Sequence, residues 1–319
     1  MKRYILILAC LLAVVLILGC TPPEGNGATP PKSWQVVGSA GFGTGGAASI
    51  SLAISSGTPY VAYEDGANSW KASVMKYSGG SWQVVGSAGF SATAVLSAMS
   101  LALWSDAPYV AYQTGAGSAT VMQYTGSWGV VGTAGFAGSN GAGSISLAIS
   151  SGTPYVAYQE WNGSGKASVM EYTGGSWQYV GSAGFSAAYA SSTSLAIDSF
   201  GTPYVAYRDG VSGPTSVMEY TGGSWRYVGS AGFGTGNAAY VSLAIDSSDT
   251  PYVAYEDAAN SYKVTVMKYT GGSWQVVGSA GFGMGSNNAI SLVIDSSGNP
   301  YVAFGDGANG GKATVMCFK

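Results

Sequence analysis

One unit of about 48 residues repeats through the chain, and the repeat is out of phase with the chain ends. The last copy stops at residues 316–319, before the Ser-Trp-Gln-Val-Val-Gly segment that ends the earlier copies. That segment stands alone at the start, as Ser33–Gly38. A ring in which the first segment joins the last unit accounts for both ends. Six tryptophans mark the units, at spacings of 48, 46, 49, 48 and 49 residues: Trp34, Trp82, Trp128, Trp177, Trp225 and Trp274.

Each unit divides into four short segments of strand-forming residues, which turn sequences separate. Tyr, Val, Ile and Trp favour strands, whereas Ser-Ser-Gly-Thr at 55–58 and Ser-Gly-Gly at 78–80 favour turns. A period of about 40 to 50 residues with several strands is typical of a β-propeller. The sequence therefore predicts an all-β, six-bladed β-propeller with four-stranded antiparallel blades, its ring closed by the N-terminal strand 33–38 joining the last blade. An open solenoid is the alternative, and it would need distinct end caps.

The sequence of the repeat resembles that of known bacterial propellers. Residues 198–206 (DSFGTPYVA) and 295–303 (DSSGNPYVA) are similar to the core of NHL-type and related propeller repeats, and to the Asp-box turn of sialidases. The resemblance covers residues 33–319 and implies the propeller fold. Those families include scaffolds, binders and enzymes, so it does not select an activity.

The head of the chain predicts export and anchoring. Residues 1–19 begin Met-Lys-Arg and continue as an apolar run, the pattern of a signal peptide. Ile17-Leu18-Gly19-Cys20 resembles the lipobox of bacterial lipoproteins, which implies cleavage before Cys20 and a lipid on its thiol. Thr21 stands where an Asp would imply the inner membrane, so the resemblance favours the outer membrane or cell surface. An uncleaved transmembrane helix is the alternative, because about 20 apolar residues span a bilayer.

The predicted organisation has three parts. A signal peptide covers residues 1–19, the lipidated Cys20 and a Pro/Gly-rich tether cover residues 20–32, and the propeller covers residues 33–319. The tether has too few apolar residues to form a core. Cys10 is lost with the signal, so Cys317 is the only free thiol expected in the mature chain, and no intrachain disulfide is predicted.

Composition excludes several classes of function. The chain has no His, which rules out a Ser-His-Asp triad and a His-ligated zinc. Only Arg208 and Arg226 remain after the signal is removed, whereas the sialidase resemblance implies three arginines. Without Lys2 and Arg3 the 12 basic residues become 10, against 15 acidic residues, a net charge of −5, so nucleic acid is not an expected partner. No catalytic residue is predicted; a carbohydrate-active enzyme with two carboxylates from different blades is the least favoured alternative.

The loops that follow the second and fourth segments vary between units, whereas the other turns hardly vary. In a propeller these variable loops share one face, and they carry Asp, Asn and an occasional Trp or Tyr, side chains that hold sugars by stacking and hydrogen bonding. The sequence thus predicts a non-enzymatic binding propeller with a glycan or polysaccharide ligand. Simple Gly/Asn turns, on a structural or protein-interaction scaffold, are the alternative. The candidate ligand-binding residues are Asp65, Asn68, Trp70, Trp161, Asp257, Asn260, Tyr262, Asp306 and Asn309.

Asp198, Asp246 and Asp295 occupy one turn position in the last three units. An Asp in a turn can accept hydrogen bonds from its own backbone, and this is the favoured interpretation. A calcium site is the alternative, because calcium prefers oxygen ligands. No cofactor is otherwise predicted, and no metal ligands are assigned.

Overall fold

The computed structural model describes residues 37–39, 41–96, 98–137, 141–234, 236–283, 289–306 and 312–318. These residues form six antiparallel sheets arranged as a six-bladed propeller, which confirms the predicted fold class. Five sheets have four strands, and three strands of the sixth lie in the described part of the chain. Residues 33–36 of the predicted closing strand, and residues 1–32, lie outside the described residues.

Each blade is a meander whose strands pair in chain order, from strand a nearest the ring axis to strand d at the rim. Blade 1 comprises β1 (Ala47–Ser55), β2 (Thr58–Asp65), β3 (Lys71–Ser78) and β4 (Ser81–Val84). Blade 2 comprises β5 (Met99–Trp104), β6 (Ala107–Gln113), β7 (Ala119–Tyr124) and β8 (Trp128–Val130). Blade 3 comprises β9 (Ala142–Ser150), β10 (Thr153–Glu160), β11 (Ala167–Thr173) and β12 (Ser176–Tyr179).

The second half of the ring repeats this order. Blade 4 comprises β13 (Ala190–Ile197), β14 (Pro203–Asp209), β15 (Thr215–Thr221) and β16 (Ser224–Tyr227). Blade 5 comprises β17 (Ala238–Ile245), β18 (Pro251–Asp257), β19 (Lys263–Thr270) and β20 (Ser273–Val276). Blade 6 comprises β21 (Ile290–Ile294), β22 (Pro300–Asp306) and β23 (Lys312–Cys317). Two short 3-10 turns, Gly66–Asn68 and Ala258–Asn260, follow β2 and β18.

The six a strands surround a central channel of about 290 Å³. A serine of each of the first five a strands accepts a hydrogen bond from the next blade: the N–H of Leu101 donates to Ser51 Oγ, and four equivalent bonds follow, all 2.9–3.0 Å long. The five leucines that donate are 4–7% exposed. These bonds hold adjacent strands at the axis without joining the blades into one sheet.

At the rim, one tryptophan in each of blades 1 to 5 joins its blade to the chain segment that precedes that blade in the ring. Trp128 of blade 2 donates its Nε1–H to the carbonyl oxygen of Val85, and four equivalent bonds measure 2.7–2.9 Å. The same ring stacks on Phe90, with five such pairs at centroid distances of 3.9–4.2 Å and interplanar angles of 9–18°. One phenylalanine of each unit therefore packs between blades, and the five are Phe42, Phe90, Phe136, Phe185 and Phe233.

The seam between blade 6 and blade 1 differs from the other interfaces. Val37 accepts the Nε1–H of Trp82 at 2.8 Å, so residues approaching blade 1 from the N-terminal side take the place of a preceding d strand. Leu52, the counterpart of Leu101, is 61% exposed. Beside β23 lies an apolar cavity of about 230 Å³, lined by Val277, Phe282 and Phe318 among others.

Candidate ligand-binding face

The variable loops meet on one face of the ring. Ala47, which begins β1, pairs with Asp65, which ends β2, so strand a starts where strand b stops. The d–a and b–c connections therefore share this face, and the a–b and c–d turns share the opposite one. We call the first the loop face and the second the turn face.

Three aromatic side chains stand about half exposed on the loop face. Trp70 and Trp161 are each 48% exposed, and Tyr262 is 52% exposed. They belong to the b–c loops of blades 1, 3 and 5 respectively, so they occupy every second blade around the ring. Large apolar groups in this position lose contact with water only when another molecule covers them.

Two of these rings are held on an unusual backbone. Trp70 and Tyr262 both have φ 58°, and the serine before each has φ 59°. Positive φ is uncommon for bulky residues and costs about 1–3 kcal/mol. The backbone N–H of Trp70 donates to the Asp65 carbonyl at 2.9 Å, and Tyr262 does the same to Asp257. The surrounding loop thus fixes the backbone from which each ring projects.

Trp161 is fixed in a different way, by packing over the start of its own blade. A Cβ atom built on Gly143 would lie 2.6 Å from Nε1 of Trp161. Only glycine at this position of β9 leaves room for the indole. The N–H of Trp161 donates to the Gly141 carbonyl at 3.1 Å, which ties the loop to the strand beneath it.

The candidate carboxylates Asp65 and Asp257 lie inside their loops and organise them. Asp65 is 1% exposed and accepts hydrogen bonds from the N–H of Ala67 at 3.1 Å, from Asn68 Nδ2 at 2.9 Å and from Ser73 Oγ at 2.8 Å. Asp257 repeats this arrangement with Ala259, Asn260 and Thr265. In the structure these carboxylates therefore support the 3-10 turns beneath Trp70 and Tyr262, and their oxygens are already engaged.

The remaining two candidates are in blade 6. Asp306 ends β22 and pairs through its backbone with Lys312. The side chain of Asp306, and all of Asn309, lie outside the described residues. The structure thus leaves Trp70, Trp161 and Tyr262 exposed on one face, each on a separate blade.

On the turn face, the three recurring aspartates cap their own turns, as the favoured interpretation predicts. Asp198 Oδ1 accepts from the N–H groups of Phe200 and Thr202, and Asp246 and Asp295 make the equivalent bonds, all at 2.7–3.0 Å. The side-chain amide of Asn299, followed by its backbone N–H, holds the pKa of Asp295 below its ordinary value. Among the described residues, no three His, Cys, Asp or Glu side chains group as a metal site.

Sequence reasoning missed a row of polar residues on blade 4, Ser191, Arg208 and Thr215, which pair directly across three strands. Blade 1 has Ala48, Glu64 and Ala72 at the same register. Aligning the units position by position, and asking where one unit departs from the others, would have found this row.

No helix in the described ranges is long and apolar enough to cross a membrane. The predicted signal and lipid-bearing Cys20 lie outside those ranges.

Comparison with known proteins identifies the fold. No protein-family model matches the sequence, and no curated protein matches it. Among solved structures, the chain is similar to an Aleuria aurantia lectin in complex with Fucalpha1-6GlcNAc, with 18% identity and a TM-score of 0.59 over 86% of this chain and 92% of the lectin. It is also similar to AofleA of Arthrobotrys oligospora (12% identity, TM-score 0.57, 86% and 83% covered) and to YjhT (13%, 0.55, 87% and 95%). At these identities the likeness shows a shared fold.

Proposed function

We propose that this protein is a non-enzymatic propeller that binds glycans through its loop face while anchored to the cell envelope. The observation that carries the proposal is the set of three half-exposed aromatic rings on alternate blades, Trp70, Trp161 and Tyr262. An aromatic ring offers a flat apolar surface with a polar edge, which suits the apolar face of a sugar.

The backbone at two of these rings supports a binding role. Positive φ at a bulky residue persists where the structure over-determines it, and such positions cluster at binding sites. A ring held in one direction loses little conformational entropy when a ligand covers it. The backbone of Trp70 and Tyr262 is held in this way, by the capped turn before each residue and by its bond to the carbonyl of Asp65 or Asp257.

The structural neighbours support the same assignment. The Aleuria aurantia lectin, which shares the six-bladed fold, is described as fucose-specific, and one of its structures holds Fucalpha1-6GlcNAc. A propeller of this size can therefore carry sugar sites. That the present chain also binds a sugar, and which class of sugar it binds, belongs to the proposal.

Anchoring follows from the lipobox-like Ile17–Cys20 and the Pro-rich tether. A lipid on Cys20 would hold the ring at the outer membrane or cell surface. Many copies on one surface, each with three weak sites, would bind a polymeric glycan with an avidity above that of any single site.

The test compares the double variant Trp70→Ala/Trp161→Ala with Trp104→Ala as a matched control. Trp104 is 42% exposed, but it ends β5 on the turn face. The assays are binding to a glycan array, binding to the immobilised glycan it identifies, and titration with the free monovalent sugar.

We expect the double variant to lose about 100-fold in apparent affinity for the immobilised glycan, because multivalent gains of this order disappear when a single site remains. For the free sugar, the number of sites should fall from three to one at an unchanged affinity. The control should bind like the parent chain, and the melting temperature should hardly change. Equal loss in the control, or unfolding of the double variant, would show that these rings are not binding sites.

A further inference from the structure

The loop end of the cleft between blades 4 and 5 contains an unusual group of polar side chains. Arg208 on β14 pairs with Ser191 on β13 and with Thr215 on β15. Directly paired residues on neighbouring strands project from the same side of a sheet. This side faces blade 5, because Ala206 and Val217, two residues from Arg208 and Thr215, pack with Ala238 of blade 5.

One buried side-chain polar atom of each of these residues has no hydrogen-bond partner within the described chain. Five buried side-chain polar atoms there lack a hydrogen bond, and four of them belong to this cleft: Ser191 Oγ, Arg208 Nε, Thr215 Oγ1 and Asn237 Oδ1. Asn237 directly precedes β17, where the N–H of Ala238 bonds to the Gly213 carbonyl across the cleft. Buried polar groups are nearly always hydrogen-bonded, so four unpartnered atoms in one cleft indicate a missing polar partner.

The other blades show that this arrangement is particular to blade 4. Where blade 4 has Arg208, blades 2 and 3 have Gln113 and Gln159, and Gln113 donates to the Ala142 carbonyl of the next blade at 2.7 Å. Where blade 4 has Thr215, blades 1, 2 and 3 have a fully buried alanine. Blades 1 and 5 have Glu64 and Glu256 at this register. An amide or a carboxylate in the other four-stranded blades is thus replaced here by a cation flanked by two hydroxyl groups.

The charge of Arg208 is also unpaired within the described residues. The next residue, Asp209, accepts a hydrogen bond from Ser216 Oγ at 2.8 Å. Neighbouring residues on a strand point to opposite sides, so Asp209 does not face the row. Ser191, Arg208 and Asn237 are each partly exposed, whereas Thr215 is fully buried. The four unpartnered atoms themselves have almost no accessible surface, so a ligand that approaches from the loop face reaches them, with Thr215 at the floor, only when the partly exposed Arg208 side chain moves aside.

We infer that this cleft binds the carboxylate group of an acidic sugar, a uronic acid unit of a glycan. A carboxylate accepts two N–H groups from the planar guanidinium fork and can also accept from the hydroxyls of Ser191 and Thr215. Asn237 Oδ1 is placed to accept from a sugar hydroxyl. The inference rests on the proposed function and assigns it an acidic ligand class at one cleft.

The test uses sugars that differ only at one carbon. The probes are the methyl glycosides of glucuronic and galacturonic acid, each compared with the methyl glycoside of glucose or galactose, and sodium acetate alone. The full chain is titrated with each probe, and binding is measured by calorimetry or by NMR. The test variant is Arg208→Gln, which installs the residue that blades 2 and 3 already carry at this register. Arg226→Gln, on the exposed surface of β16, removes the same charge and is the control.

We expect at least one uronide to bind about tenfold more tightly than its neutral counterpart, since charge-assisted bonds are roughly twice as strong as neutral ones. Arg208→Gln should abolish this preference, and Arg226→Gln should keep it. Ser191→Ala/Thr215→Ala, which copies alanines found in other blades, should weaken uronide binding and leave neutral sugars unaffected. Stronger binding of acetate than of the uronides would indicate a general anion site and overturn the assignment.

The inference is overturned if neither uronide exceeds its neutral counterpart, or if Arg208→Gln keeps the preference. Either result, with neutral glycans still bound through Trp70 and Trp161, would leave the proposed function in place and indicate ordered water in the cleft. Uronide binding that depends on Arg208, with no binding of neutral glycans, would confirm the inference and restrict the function to this cleft. No binding of any glycan would overturn both the inference and the proposed function.

Discussion

The ring closure can be tested at a single residue, Trp34. By repeat position, the segment Ser33–Gly38 corresponds to strand d, and Trp34 corresponds to the clamping tryptophans of the five other interfaces. At those interfaces the tryptophan packs beside a glycine of the preceding blade: a Cβ on Gly86 would lie 3.0 Å from Trp128. The equivalent Gly278 faces Phe318 at the 230 Å³ cavity. We predict that Trp34 fills this cavity, stacks on Phe282 and donates to the Val277 carbonyl.

The expected magnitude follows from the cavity. A cost of roughly 24 cal/mol per Å³ of cavity, applied to 230 Å³, sets an upper limit of about 5.5 kcal/mol on the cavity contribution. Buried Trp→Ala changes typically cost about 3–5 kcal/mol. We therefore expect Trp34→Ala to lower the free energy of unfolding by about 3–5 kcal/mol, as much as Trp177→Ala at the interface between blades 2 and 3.

Denaturant unfolding of the two variants measures this cost, and a cross-link checks the register separately. Lys76 pairs with Gln83 in blade 1, so Cys317 should pair with Gln35. Paired Cα atoms in such a ladder are about 5.5 Å apart, within the range that a disulfide spans. Gln35→Cys should then form a disulfide with Cys317 on oxidation, and Thr29→Cys in the tether should not.

Two results would refute this reasoning. Trp34→Ala could cost less than about 1 kcal/mol while Trp177→Ala costs the full amount, which would mean that the cavity has no tryptophan in it. Alternatively, Gln35→Cys could cross-link no better than Thr29→Cys, which would place the N-terminal segment elsewhere.

Two further changes test the anchor and the loop support. Cys20→Ala should move the protein from the membrane fraction to the soluble fraction or block signal cleavage, because the lipid would have no thiol to attach to; soluble mature protein with Cys20 intact would contradict the lipoprotein proposal. Asp257→Ala should lower the free energy of unfolding by about 2–3 kcal/mol, because it leaves the buried hydroxyl of Thr265 and the partly buried N–H of Ala259 without their acceptor; denaturant unfolding should show a smaller effect for Asp295→Ala, in a less buried turn.

The repeat was enough to predict the blades, because a pattern present in every unit reports the packing that every unit needs. The regularly spaced tryptophans and the phenylalanine that recurs in each unit make contacts that the structure repeats five times. The same evidence predicted which loops share a face, since strand order determines where each connection lies.

The roles of individual loop residues could not be predicted in this way. Asp65 and Trp70 are five residues apart in one variable loop, yet one is 1% and the other 48% exposed. The difference arises from a 3-10 turn and two positive φ angles, which local composition does not specify for Ser and Trp. The polar row around Arg208 depends on pairing across three strands, and a single unit read along the chain does not display it.

The serine-to-leucine bonds around the channel set an order in which the ring can be completed. When each new blade is made, the serine that accepts its leucine N–H is already present on the blade before it, as Ser51 is for Leu101. Blade 1 is the exception. The N–H of Leu52 would need Ser291 as its acceptor, and Ser291 is synthesised about 240 residues later. At about 5–20 residues per second this delay is about 10–50 s. During that interval the apolar flank of β1 is open to another chain, so this one blade is where association between unfinished chains should begin.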